Sequence, residues 1–374
     1  MKFRCERDVL VEALGSATRA VTSRGGALPV LSGVRAALSG DRLILTGSDL
    51  DLTIQVALTV AGSEDGVAVL PARLAADIVR ALEPGAVHVE VGETAAAIAS
   101  GRSHFSVRVL PADDFPRVPD APAEQVTLDA AALVDALRQV VPAASHDDAR
   151  PILTGVLMAA EGDGLRLVAT DSYRLAVRDL PGASVLREGQ SVLVPSRALG
   201  ELVRVLVGAE SVSLRLGERD ATFEIGAFDP AAGEVAGTRV TTRLIEGQFP
   251  NYRQLIPEHH PNRLTVGREP LLDALRRVKL LAKESIPVRL ELRANSVQLS
   301  AVTQDVGQAE EELDVKYEGT EMGISFNPEY LADGVEVVAG DEVTLETLDG
   351  LKPAVVRAVG RDDYLYLLMP IRVS

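Results

Sequence analysis

An internal repeat constrains this chain more than any other feature. LPVLSGVRAALSGDRLILTGSDLDLTIQV (28–56) is followed by RPILTGVLMAAEGDGLRLVATDSYRLAVRDL (150–180), and Pro29 and Asp49 recur as Pro151 and Asp171, each 122 positions on. VLPARLAADIVRAL (69–82) returns as LVPSRALGELVRVL (193–206), with Pro71 and Pro195 124 positions apart. A weaker third copy, VRLELRANSVQLSAVTQD (288–305) and SFNPEYLADGVEVV (325–338), places Asp305 134 positions after Asp171 and Pro328 133 after Pro195. This period is far longer than the roughly 20–50 residues of solenoid or propeller units, so each copy is a whole domain. The 374 residues then hold three, at 1–120, 125–252 and 258–374. The Pro- and acid-rich stretch 111–125 and the stretch 246–262 read as linkers, and the Phe-Pro pair recurs in both, as Phe115-Pro116 and Phe249-Pro250.

Each copy reads the same way. An early helix shows apolar residues at helical spacing (6–21, 129–141 and 268–284). Alternating strands follow. A second helix opens with Pro71, Pro195 or Pro328 near its first turn, where a missing N–H costs least. Two helices on antiparallel sheets make an α+β domain.

Composition narrows the function. The net charge of −16 argues against a surface that grips nucleic acid everywhere, although an acidic body can carry a local basic track. With aromatic residues at 3 % and no Trp, a base-stacking single-strand binder is disfavoured. The single Cys5 rules out an internal disulfide framework and fits a cytoplasmic protein. No apolar run reaches the length of a membrane span, and MKFRCERDVL lacks an apolar signal core.

An enzyme is the first rival reading, because carboxylates can do acid–base work. Yet Asp49, Asp171 and Asp305 recur in all three copies, as turn residues do and a singular catalytic group does not. There is no GxxxxGK, HExxH or CxxC, and His259 and His260 beside Glu258 lack a matched ligand set, so neither metal nor cofactor is expected. The chain closes on YLYLLMPIRVS (364–374). Its alternation reads as a strand whose pairing on that edge stops at Pro370, which cannot donate to a ladder. Met369, Ile371 and Val373 are then either plain core or one wall of an apolar surface pocket.

LPVLSGV, VLPARLAADIVRAL, RPILTGV, ATDSYRLAV, EGQFPNYRQLIP and YLYLLMPIR, in this order on a threefold repeat, resemble the beta subunit of bacterial DNA polymerase III, the sliding clamps. The likeness spans essentially the whole chain. It implies a non-catalytic processivity factor: two chains of three clamp domains joined head to tail into a dimeric ring around double-stranded DNA. Contacts to phosphate alone would carry no sequence information and would permit sliding.

By the same resemblance, DNA faces Arg24, Arg73, Arg197 and Arg204, with Arg80, Arg138, Arg276 and Lys279 as additions. The last helix, with Glu329, Asp333 and Glu336, has no basic residue, so the third domain's track is weak or borne by its other helix. The resemblance also implies a pocket for short apolar motifs, of the Gln-Leu-x-Leu-Phe type, on the replicative polymerase, clamp loader and repair proteins. Its positions here are Leu153, Thr170, Ser172, Tyr173, Arg174, Leu175, Pro250 and Leu255, then Leu367, Met369, Pro370, Ile371 and Arg372. Gln254 stands where many family members carry Arg. At the dimer seam, Phe105 and Val107 are expected to meet the partner chain's copies of Leu280 and Leu281, and Arg102 to face the acidic run Glu310, Glu311 and Glu312, while His104 reads as a surface histidine. Two alternatives remain open at this point. One is a clamp paralogue with altered partners; the other is an open, monomeric clamp-like scaffold.

Overall fold

Six helices among the described residues follow from one spacing rule. In α1 (Arg7–Thr18) the buried residues are Leu10, Ala13, Leu14 and Ala17, a stripe along one face. The same pattern runs through α2 (Ala72–Ala81), α3 (Ala130–Val140), α4 (Ser196–Val205), α5 (Arg268–Val278) and α6 (Pro328–Glu336). Of the three prolines expected at helix starts, only Pro328 is inside its helix, behind Asn327, whose side chain caps Glu329 and Tyr330 N–H. Pro71 and Pro195 stand one residue earlier, directly before α2 and α4, where they also close the preceding strands, Gly66–Pro71 and Ser191–Pro195. A strand's last residue can lack an N–H at little cost, so the same residue type serves a neighbouring position. The computed structural model describes every residue except 23–27, 119–120, 123, 229–235, 283–285 and 373–374.

Among the described residues the strands form four antiparallel sheets, and two of these run across the boundaries between copies. An eight-stranded sheet joins first-copy strands to second-copy strands where Leu52–Thr59 pairs with Ala236–Arg243. A nine-stranded sheet joins the second copy to the third where Arg174–Leu180 pairs with Tyr364–Leu368. Contacts accordingly divide the chain into two compact units that cut the second copy in half, 1–134 with 197–244 and 135–196 with 245–374.

In the first unit, α1 and α2 lie over a core drawn from the eight-stranded sheet and from a five-stranded one, which includes Phe3, Leu14, Leu45, Val79 and Ile98. Gly47 lets α1 come close, since a Cβ there would sit 1.9 Å from the Ala17 carbonyl oxygen. The second-copy helix α4 is tied to this unit by Arg19–Glu201 (3.2 Å) and by an ion pair between Arg197 and Asp49. In the second unit, a four-stranded sheet accompanies the nine-stranded one, and Gln139 of α3 donates to the Val337 carbonyl just past α6 (2.9 Å).

The terminal strand Tyr364–Leu368 is buried at all five positions and paired on both sides, with Arg174–Leu180 and with Ala354–Ala358. The expected strand is present, ends before Pro370 and lies at the centre of its sheet. Burial on both faces needs apolar residues at every position, and YLYLL supplies them.

Candidate functional site

The pocket positions assigned by resemblance all fall in the second unit, most of them around the face of the nine-stranded sheet that carries Leu175 and Leu367. Leu175 stands opposite Leu367, which stands opposite Val355; Val177 stands opposite Leu365 and Val168. With Tyr252 these form one buried apolar cluster, against which Leu157, Phe249 and Ile256 pack. The 246–262 stretch therefore covers part of this face, and the rings of Phe249 and Tyr252 meet edge-on at 6.4 Å. Leu153, Leu175 and Leu367 are buried and belong to floor and core.

Around this floor stand exposed apolar groups. Tyr173 is 60 % exposed, Leu255 50 %, Met369 41 % and Ile371 38 %, and Pro250 is also exposed. The Met369 N–H donates to the Tyr173 carbonyl (2.9 Å) and the Ile371 N–H to the Ser325 carbonyl (2.7 Å), so the segment after the last strand is held in place beyond Pro370. Arg372 and Gln254 are exposed.

Ser172 has φ 83°, a left-handed conformation uncommon for a side-chain-bearing residue. A tight turn imposes it. Asp171 Oδ1 accepts from the Tyr173 and Arg174 N–H groups (2.8 and 2.9 Å), and the Thr170 hydroxyl donates to the Arg174 carbonyl (2.7 Å). Asp49 does the same for Asp51 and Leu52 in the first copy, where Leu50 has φ 82°. The repeated aspartate is thus a turn residue in two copies. In the third copy Asp305 also lies in a turn, between strands Ser296–Thr303 and Gly307–Asp314, but there the aspartate itself takes the positive φ (64°).

The two seams differ in chemistry. Where the second seam has Leu175 and Leu367 opposite one another, the first has Thr53 opposite Thr241. Thr241 bonds Thr222 (3.1 Å), and Gln55 stands opposite Arg239, which pairs with Glu224. An apolar floor lies at the second seam, whereas the first is floored by hydroxyls and ion pairs. That contrast is readable in sequence, since RLAV (174–177) and YLYLL are apolar at the positions on this face, Leu175, Val177, Leu365 and Leu367, where LTIQV and RVTTR carry Thr53, Gln55, Arg239 and Thr241.

Arg174, expected to meet a ligand, is 7 % exposed and engaged within the protein. It contacts Asp171 Oδ2 (3.0 Å) and Asp333 Oδ2 (2.5 Å), and its guanidinium lies 4.0 Å from the Tyr330 ring centre. Burial alone would lower its pKa, but the Tyr366 hydroxyl and these carboxylates hold it above the ordinary arginine range.

Of the residues expected to face DNA, Arg24 lies outside the described residues. Arg73 and Arg138 are exposed. The other five are all held by nearby acids: Arg197 by Asp49, Arg204 by Glu201 (2.8 Å), Arg80 by Asp77 (3.0 Å), Arg276 by Asp273 (2.9 Å) and Lys279 by Glu329 (2.8 Å). Exposed pairs of this kind contribute roughly 0–1 kcal/mol and exchange readily for a phosphate. The acidic α6 is partly accounted for, because Glu329 and Asp333 each hold a basic residue.

At the expected seam between chains, strands Ser103–Arg108 and Gly307–Asp314 are the outermost strands of their sheets. Phe105 is 40 % exposed, Leu280 75 %, and Leu281 is half-buried. Val107 is a correction: it is buried in the first unit's core, opposite Ala96, and is not available to a partner. Arg102, His104, Glu310 and Glu312 are exposed, whereas Glu311 is bound by Arg277 (2.7 Å), which lowers its carboxyl pKa. His260 is largely buried, with Nδ1 4.0 Å from Glu346, and burial lowers its pKa. No helix among the described residues is long and apolar enough to cross a membrane.

Comparison with known proteins places this geometry. Three models of the DNA polymerase III beta subunit match in succession: the N-terminal domain over residues 1–119, the central domain over 127–251 and the C-terminal domain over 253–372. A beta sliding clamp from Streptomyces coelicolor is 34 % identical, with all of both chains covered. A sliding clamp from Bartonella birtlesii, solved bound to griselimycin, superposes with a TM-score of 0.90 at 31 % identity, again over all of both chains. One from Bacillus subtilis gives 0.88 at 30 %, also with full coverage of both.

Proposed function

The chain belongs to the DNA polymerase III beta subunit family, the beta sliding clamps, and from that premise we propose that two copies close head to tail into a ring around duplex DNA. It is a processivity subunit, not a catalytic one. The observation that carries ring closure is the pair of open sheet edges in one chain. One edge, Ser103–Arg108, carries His104 and Phe105, with Arg102 in the turn just before it; the other, Gly307–Asp314, carries Glu310 and Glu312 beside Leu280. The two differ in charge and are not self-complementary, so the contact is heterologous and must close into a ring or continue as a filament. Closure also buries edges that would otherwise template aggregation.

A ring is retained by topology and needs little affinity, which reconciles a net charge of −16 with a polyanionic partner. Arg73, Arg197 and Arg204, with Arg80, Arg138, Arg276 and Lys279, are the proposed phosphate contacts. Their local acids keep these contacts weak and exchangeable. The apolar face bounded by Tyr173, Leu255, Met369 and Ile371 is the proposed dock for short apolar motifs of polymerase, loader and repair proteins. Met suits such a site because it repacks around different partners.

Sedimentation equilibrium at micromolar concentration tests the closure. The ring gives about twice the 39.6 kDa chain mass. A single chain mass would favour an open, clamp-like scaffold instead.

A further inference from the structure

We propose that Asp333 on α6 is a positioning residue for the partner pocket: acting through Arg174, it fixes the turn that presents Tyr173 and so sets how tightly an apolar motif is held. The inference rests on the pocket reading above.

Two carboxylates share one buried guanidinium. Asp171 divides its oxygens, Oδ1 closing the turn onto the Tyr173 and Arg174 N–H groups and Oδ2 taking Arg174 Nε (3.0 Å). The other side of the guanidinium is held from α6 by Asp333 (2.5 Å) and by the Tyr330 ring. α6 is itself fixed, since the Tyr366 hydroxyl donates to the Tyr330 carbonyl (2.8 Å) and Gly334 admits the Tyr366 ring where a Cβ would come within 2.3 Å of it. Tyr366 belongs to the same strand that leads into Met369, and the Tyr173 carbonyl accepts from the Met369 N–H. Both exposed walls of the pocket therefore hang on one network.

The turn needs that support. Ser172 occupies a left-handed conformation, which persists when surrounding contacts over-determine it. Neutralising Asp333 leaves Arg174 buried with a single counter-ion, and the guanidinium then competes for the Asp171 carboxylate that closes the turn. Asp333 is 40 % exposed at its side chain, so it acts from the rim of the network and not from the core.

The test is fluorescence-polarisation binding of a labelled Gln-Leu-x-Leu-Phe peptide to the full-length dimer. Wild type is compared with Asp333→Asn, Asp333→Glu, Tyr173→Ala and the Asp333→Asn/Tyr173→Ala double variant. Asp333→Asn is expected to weaken binding about tenfold, with Asp333→Glu, which keeps the charge, closer to wild type. In the Tyr173→Ala background, Asp333→Asn should cost no more than about a further twofold, because the group it positions is gone. A general loss of stability would not produce that coupling. If Asp333→Asn does not fold, Asp333→Ser, which also removes the charge, carries the test: about a tenfold weakening is expected, and wild-type affinity in the folded variant contradicts the proposal. Wild-type binding with an indifferent Asp333→Asn, or with effects that simply multiply, overturns the inference alone. A folded wild type that ignores the peptide overturns the pocket reading and the inference with it.

Discussion

Phe105→Asp is expected to turn the dimer into monomers and to abolish retention on circular duplex DNA. Phe105 is 40 % exposed in the middle of an outermost strand, which leaves one side of that strand's backbone unpaired. Leu280 (75 % exposed), Val302 (64 %) and Val306 (69 %) flank the other open edge. Packing these groups against Phe105 removes all of them from water. A carboxylate in its place would be desolvated without a partner and would face the acidic Glu310 and Glu312. Central aromatic anchors of this kind carry about 2 kcal/mol or more, so dimer affinity should fall at least about 30-fold. Sedimentation equilibrium reads the change directly. Each chain should keep its thermal transition, since Phe105 contributes an exposed ring and not a core one. A variant that still sediments at twice the chain mass would move the seam elsewhere.

Tyr366→Ala carries the largest expected cost in stability. Tyr366 is 1 % exposed, lies in the terminal strand at the centre of the nine-stranded sheet, and places its ring where Gly334 leaves room for it. Removing a buried aromatic ring costs about 3–5 kcal/mol in lost transfer energy and cavity. Tyr366→Phe isolates the hydroxyl, which donates to the Tyr330 carbonyl, and should cost about 1 kcal/mol. Urea unfolding followed by far-UV circular dichroism measures both. A loss under about 1 kcal/mol for Tyr366→Ala would mean that the strand is not the keystone its burial implies.

The local elements were the legible part of the fold. Helices came from spacing, as with Leu10, Ala13, Leu14 and Ala17, with ends shifted by a few residues. The sheets that run through the seams were not legible, because the pairings of Leu52–Thr59 with Ala236–Arg243 and of Arg174–Leu180 with Tyr364–Leu368 join residues nearly 200 positions apart, and local periodicity carries no register at that distance. YLYLL and Pro370 announce the last strand and its end, but nothing in that stretch names the two strands that flank it. Val107 was misplaced because it shares a face with Phe105, and alternation alone does not say how far along a strand the core cover extends. At the candidate site, resemblance drew together residues that the fold brings side by side, Leu175 with Leu367 and Tyr173 with Met369. The engagement of Arg174 by Asp333 stayed hidden, since the acid is 159 positions away and its helix read as part of a DNA track.

The most direct test of the central claim is retention on circular against linear DNA. The protein is assembled on nicked circular duplex with a clamp loader and ATP, isolated by gel filtration, and then treated with a restriction enzyme that cuts the circle once. A closed ring stays on the circle through moderate salt, because topology and not ion pairing holds it, and it runs off when the circle is cut. Retention that survives linearisation, or that collapses with rising salt on the intact circle, would show binding by surface contact and contradict the account.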